Sequence, residues 1–188
     1  KIDVVSIDAD SSVIASLSDK PVSYFITNKK EYYSVFFNSR CFDEVVRSSL
    51  MGLLSVNSML ETEIGSYYTS LLHPISVRFS EYPSQNTIPY YNEKNFETYS
   101  TYAANPVKEV TAYCCADETG LEYKILEAYK EILSKKNITL NIVMSDENGM
   151  RNAIFSGEAD IWIETVPDGA TCDKYEYYNS LGKFNYTG

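Results

Sequence analysis

Residues 108–164 change hydrophobic period repeatedly, and each change falls where a βαβαβ unit needs it. KEVTAYCC, at 108–115, is rich in β-branched and aromatic residues and reads as a strand. TGLE, at 119–122, has the spacing of a capping box, with Thr119 as cap and Glu122 reaching back. Leu121, Ile125, Ala128, Tyr129, Ile132 and Leu133 continue it as an amphipathic helix to about Lys136. ITLNIVM places Ile138, Leu140, Ile142 and Met144 at every second position, a strand. ENGMRNAIFSG reads as a helix closed by Gly157, and ADIWIET as a third strand. Strands separated by helices run parallel and cross over right-handed, so this stretch predicts the α/β class.

The rest of the chain adds elements to that unit. KIDVVSI reads as a strand and DADSSVIASLS as a short helix. PVSYFITN and EYYSVFFN read as two strands, antiparallel neighbours. A helix is expected from Asp43, its cap, to about Ser55, with Phe42, Val45, Val46, Leu50, Leu53 and Leu54 on one face. VNSMLETEIG is a second helix, stopped at Gly65. Residues 66–91 show no period and read as a packed excursion over the surface. NEKNFETYSTYAAN makes a short helix before Pro106. All 188 residues are expected to form a single domain with a mixed sheet and flanking helices.

Composition removes several function classes. The net charge is −10, with no run of Lys and Arg, which argues against a nucleic-acid partner. The four cysteines, Cys41, Cys114, Cys115 and Cys172, form no CxxC, and His73 is the only histidine. No metal site is expected from that set, and no Ser/His or Cys/His hydrolase. GxSxG, Walker A and GxGxxG motifs are absent, so no cofactor and no enzyme activity are expected. The pairs Asp117-Glu118 and Asp146-Glu147 stand at helix starts, where capping and the helix dipole explain them. No apolar run is long enough to span a bilayer.

Ligands of open α/β sheets sit beyond the carboxyl ends of the parallel strands. The loop after Thr165 and the segment CCADETG are therefore expected on one rim, which would bring Cys172 near Cys114 or Cys115. Trp162 is either a core aromatic or a wall of the ligand cleft. Glu164 and Asp168 flank Pro167, either as solvated charges or as carboxylates awaiting a cationic group.

The stretch YYSVFFNSRCFDEVVRSSLMGLLSVNSMLETEIGSYYTSLLHPI resembles the central part of family 5 extracellular solute-binding proteins, the oligopeptide, dipeptide and nickel receptors of ABC importers. The resemblance rests on Phe36-Phe37-Asn38 at a strand end and on Phe42, Asp43, Val46, Arg47 and Leu50 opening a helix. Gly65 and Pro74-Ile75 follow after a second helix. In the tail it rests on SGEADIW, then Pro167-Asp168, then YYNSLGKFNYTG. It implies a lobe of the periplasmic-binding-protein type (type II). The whole chain would be the second lobe of a two-lobed clamp, entered at Lys1 and left at Gly188, with the first lobe lying outside this sequence.

The resemblance also implies a solute, a peptide above all, captured between lobes and handed to an ABC permease, and an extracytoplasmic location, periplasmic or on a cell-surface lipoprotein. The binding residues it implies are Trp162, Glu164, Pro167 and Asp168. Peptide-binding members carry Asp three residues after the Trp and Pro four further on. Here Glu164 follows Trp162 by two and Pro167 by five, so either Glu164 or Asp168 takes the place of that Asp, or the amino-group site is absent and the ligand is a different one. The other reading of the same fold is the ligand-sensing domain of a cytoplasmic transcription regulator.

Overall fold

The computed structural model describes residues 31–54 and 93–167, together with 16, 17, 19 and 20. KIDVVSI, PVSYFITN, VNSMLETEIG, the stretch 66–91 and most of DADSSVIASLS lie outside the described residues, as do Asp168 and Cys172.

Among the described residues the elements are β1 (Glu31–Phe37), α1 (Glu44–Met51), α2 (Glu93–Tyr102), β2 (Glu109–Cys114), α3 (Leu121–Ser134), β3 (Thr139–Met144), α4 (Glu147–Ser156) and β4 (Ile161–Pro167). They form one four-stranded mixed sheet in the order β1-β4-β2-β3. β2 runs parallel to β3 along its whole length and parallel to β4 at Ala112–Ile161 and Tyr113–Trp162. The βαβαβ expectation therefore holds. β1 adds antiparallel to the far side of β4, from Glu31 opposite Pro167 to Phe37 opposite Ile161.

The first parallel strand lies between the other two, so the crossover helices leave on opposite faces of the sheet. Successive side chains of a strand alternate between faces. Val110, Ala112 and Cys114 of β2 and Ile161 and Ile163 of β4 pack with Leu126, Tyr129 and Leu133 of α3, joined by Leu50, Leu53, Phe96 and Tyr99. Tyr113 and Trp162 face the other way, toward Met150, Ala153 and Ile154 of α4. Each fully buried Leu or Ile in these two clusters stabilises the fold by roughly 1.5–3 kcal/mol.

Local chemistry sets the helix ends. Asp43 caps α1 by accepting from the Val46 N–H at 2.9 Å, as expected. The helix stops at Gly52, short of the expected Ser55, and single turns through Leu53 and Leu54 follow it. Asp146 caps α4 through the Gly149 N–H at 2.7 Å.

The capping box of α3 does not form. Thr119 donates both its N–H (2.9 Å) and its hydroxyl (2.6 Å) to Asp117 Oδ1, and Gly120 is the N-cap instead. A side chain at Gly120 would collide with the Ala116 methyl, so the turn accepts only glycine as cap.

Gly157 ends α4 at φ 81°, in the left-handed region. A Cβ there would meet only Cys41 Sγ at 3.8 Å, so space is not the constraint. Gly157→Ala is expected to cost about 1–2 kcal/mol, from backbone strain alone. Urea unfolding checks it, and an unchanged midpoint would show that the turn relaxes.

One irregular joint ties β1 to β4 at the amino end of β4. Asn38, fully buried, follows β1. Its amide donates to the carbonyls of Ile154 (3.2 Å) and Ala159 (2.8 Å), and its Oδ1 accepts from the Arg40 N–H (3.0 Å). Its own N–H donates to Asp160 O at 2.8 Å. Arg40 then donates to Phe155 O and lies over the Phe155 ring.

Candidate functional site

The carboxyl ends of β2, β3 and β4 share one rim, where parallel pairing puts them. Strand β4 continues past Thr165 to Pro167, so the expected loop begins two residues later than the sequence suggested. Pro167 fits because β2 pairs with β4 only as far as Tyr113–Trp162, and no ladder partner is lost on that side. Pro167 itself is exposed at the rim, opposite Glu31.

Trp162 is 4 % exposed, packed beneath α4 and stacked on Phe36 with ring centres 5.2 Å apart. Its position is that of a core aromatic on the α4 face, and its Nε1 has no hydrogen-bond partner among the described residues. Glu164 projects from that same face two residues nearer the rim.

The register that sets Tyr113 beside Trp162 brings Cys115 level with Glu164, and the two interact electrostatically. Glu147 and Arg151, one turn apart on α4, form an ion pair, and both act on Glu164. The group is thus Glu164, Cys115, Glu147 and Arg151, drawn from β4, the end of β2 and the first turns of α4.

Burial is the main force on Glu164 and raises its pKa to about 7; Arg151 opposes the shift and Glu147 adds to it. Partial burial raises the Cys115 thiol, with Glu164, Glu147, Glu122 and Asp146 adding to it. Burial likewise pushes Cys114 and Cys41 to about 11. All three described thiols are held away from the thiolate form that a nucleophile needs. Cys115 Sγ rests 3.9 Å from Met150 Sδ, a soft contact under the rim.

Charge on this rim is lopsided. Glu164, Glu147 and Asp146 all act on Cys115, Arg151 is the cation that acts on Glu164 among the described residues, and Glu122 stands on the other face, 3.5 Å from Thr165 Oγ1. The N-terminus of α4 is already satisfied by Asp146 and flanked by Glu147, so it offers nothing to an anion. The arrangement favours a cationic group placed beside Glu164. No three of His, Cys, Asp and Glu come together as a metal site among the described residues. None of the described helices is long and apolar enough to cross a membrane.

Of the expected binding residues, Trp162, Glu164 and Pro167 all lie on β4, and Asp168 lies outside the described residues. Sequence reasoning missed Cys115, Glu147 and Arg151 as neighbours of Glu164. Only the spacing of Glu147 and Arg151, four residues apart on a helix, marked part of that group in advance.

No model of a known protein family matches the sequence, and no curated protein matches it. Solved structures do. The oligopeptide-binding protein AppA from Bacillus subtilis, in complex with a nonapeptide, superposes with a TM-score of 0.75 at 15% identity, over 94% of this chain and 40% of its own. The periplasmic murein tripeptide-binding protein MppA, in its unliganded open form, gives 0.68 at 16% identity, over 93% of this chain and 36% of its own. OppA from Haemophilus influenzae, bound to a peptide, gives 0.62 at 14% identity, over 94% of this chain and 37% of its own. The chain spans between a third and two fifths of the length of these proteins. An acidic rim at the carboxyl ends of a mixed sheet, with helices on both faces, is therefore carried by a chain that has the fold of one portion of the peptide-binding, periplasmic-binding-protein-like receptors.

Proposed function

We propose that this chain is the second lobe of a two-lobed, extracytoplasmic solute-binding protein that captures a ligand, a peptide or another solute with a cationic group, and delivers it to an ABC permease. Function is non-covalent: closure of two lobes excludes water and shifts an open–closed equilibrium that a transporter reads. Fold likeness to peptide receptors supports the class of protein. The observation that carries the ligand chemistry is Glu164, a half-buried carboxyl at the carboxyl end of β4, beside Glu147 and opposed by Arg151 alone.

In this reading Glu164 receives an ammonium group, such as a peptide amino terminus, Pro167 continues the cleft wall along the strand end, and Asp168, next in sequence, is the other candidate carboxylate. Trp162 forms the floor beneath Glu164 rather than an open wall, holding the β4 backbone against α4. A charge-assisted hydrogen bond of this kind is worth roughly 1.5–3 kcal/mol. Glu164→Gln should therefore weaken a cationic ligand by about ten- to a hundredfold.

The pH dependence has a definite sign. With its pKa raised to about 7, Glu164 is protonated below neutrality, and an ammonium ligand must displace that proton. Affinity should fall by up to about tenfold per pH unit below 7; above it, affinity levels off for a ligand that stays cationic and falls again above about pH 8 for a peptide amino terminus, which then loses its own charge. Calorimetry of the intact protein across this range, with and without Glu164→Gln, reads both effects. A flat profile, or a Glu164→Gln and Asp168→Asn pair within about twofold of wild type, would remove the cationic anchor.

A further inference from the structure

A groove lies at the end of the sheet opposite the acidic rim. It is an open groove of about 480 Å³ between α2, the segment leading into β2, and the end of α3. Its apolar wall is Phe96, Pro106 and Val107, and its polar side is Lys108, Lys135 and Lys136. Among the described residues no carboxylate lines it, although the chain carries a net charge of −10 and Glu93 stands beside it, paired with Lys136.

Lys135 and Lys136 have an ordinary explanation, since cations favour a helix C-terminus. Lys108 does not share it. It enters from a different segment, just before β2, and converges on the same groove. Lys136 is paired with Glu93 at 2.5 Å. Lys108 and Lys135 are exposed and have no ion pair among the described residues.

The groove is also built rather than incidental. Tyr99 fixes its apolar wall by accepting the Val107 N–H at 2.8 Å, and Phe96 is 7 % exposed. The carbonyls of Leu133 and Ser134 at the end of α3 are satisfied by the N–H groups of Lys136, Asn137 and Ile138. The end of the helix therefore presents lysine ammoniums to the groove with few bare oxygens.

Size, one apolar wall and two uncommitted ammonium groups define the occupant. We propose that this groove binds a small organic anion with an apolar body, an aryl- or alkyl-carboxylate, whose charge lies between Lys108 and Lys135 and whose body lies on Phe96, Pro106 and Val107. The chemistry is opposite to that of the acidic rim, and the site lies at the amino ends of the parallel strands, so the two do not compete.

The test is ligand-observed NMR on the intact protein with 4-phenylbutyrate, its neutral amide and inorganic phosphate. Expected is saturable binding of the acid with a Kd on the order of 1 mM or tighter, little binding of the amide, and little of phosphate. The Lys108→Gln/Lys135→Gln double variant should weaken the acid at least about tenfold, while Glu164→Gln leaves it unchanged. If the double variant loses its fold by circular dichroism, the single Lys108→Gln and Lys135→Gln variants decide. The proposal is overturned if the acid does not saturate, if the amide or phosphate binds as well as the acid, or if the lysine variants bind like wild type.

Discussion

Asn38→Ala is expected to destabilise the protein by about 2–4 kcal/mol. The side chain is fully buried and makes three hydrogen bonds: to Ile154 O, to Ala159 O and from the Arg40 N–H. Truncation removes all three bonds, leaving the Ile154 carbonyl with only the Gly157 N–H at 3.3 Å and the Ala159 carbonyl with only the long Cys41 Sγ contact at 3.7 Å among the described residues. Each lost bond costs roughly 0.5–1.5 kcal/mol, and the vacated space adds to it. Asn38→Asp separates hydrogen bonding from packing. It keeps the acceptor for Arg40 but sets a carboxylate against two carbonyl oxygens, so it should cost at least as much as alanine. Urea denaturation followed by circular dichroism measures both. A loss under about 1 kcal/mol for either would mean that water enters the joint and takes over the role of the amide.

Tyr129 carries the second large effect. It is fully buried on α3, donates its hydroxyl to Leu50 O at 2.7 Å and meets Phe37 edge-on with ring centres 6.4 Å apart. Burial pushes its phenol far above the ordinary range, so it remains a donor at any working pH. Through it one ring joins α3, α1 and β1. Tyr129→Ala should cost about 3–5 kcal/mol, the cost of a large core truncation with the cavity it leaves. Tyr129→Phe keeps the ring and removes one donor from the Leu50 carbonyl, which retains the Leu53 N–H at 3.0 Å, so about 0.5–1.5 kcal/mol is expected. Equal losses in the two variants would show that the hydrogen bond, and not the ring, holds α1 to the sheet.

Much of this architecture could be read in advance, and the reasons are physical. β2, α3, β3, α4 and β4 each have a hydrophobic period of their own, so their order predicted parallel pairing without any long-range information. Asp43 and Gly157 announced helix boundaries because capping is local chemistry. Thr119 misled for a related reason. Its hydroxyl found Asp117 two residues back, and the steric demand that selects Gly120 depends on where Ala116 sits in the folded turn. The strand was expected to end at Thr165, yet it runs on through Pro167, because β2 no longer pairs with β4 there and the missing N–H costs no ladder bond on that side.

The candidate site was legible only in part. Glu164 stood out by its place after Trp162. Its neighbours Cys115, Glu147 and Arg151 come from other segments and meet it only because α4 crosses back over the sheet. Lys108 and the pair Lys135-Lys136 are separated by a strand and a helix, so a scan for runs of basic residues passes over the groove they share. Asn38 was noted as a strand-end residue, but nothing local says that its amide will be buried among carbonyls of the distant α4–β4 turn.

That distance has a consequence for how the chain is made. Asn38 bonds to carbonyls 116 and 121 residues further along, and β1 pairs over a comparable separation with β4. At a synthesis rate of roughly 5–20 residues per second, β1 leaves the ribosome on the order of ten seconds before its partner exists. The βαβαβ unit closes over short sequence separations and can form as soon as it emerges, whereas β1 must wait, with its aromatic residues unpaired, to dock last. High contact order of this kind slows folding. Among the described strands, β1 is thus the one that waits longest for its partner, and Tyr32–Phe37 is the segment a chaperone would meet in that interval.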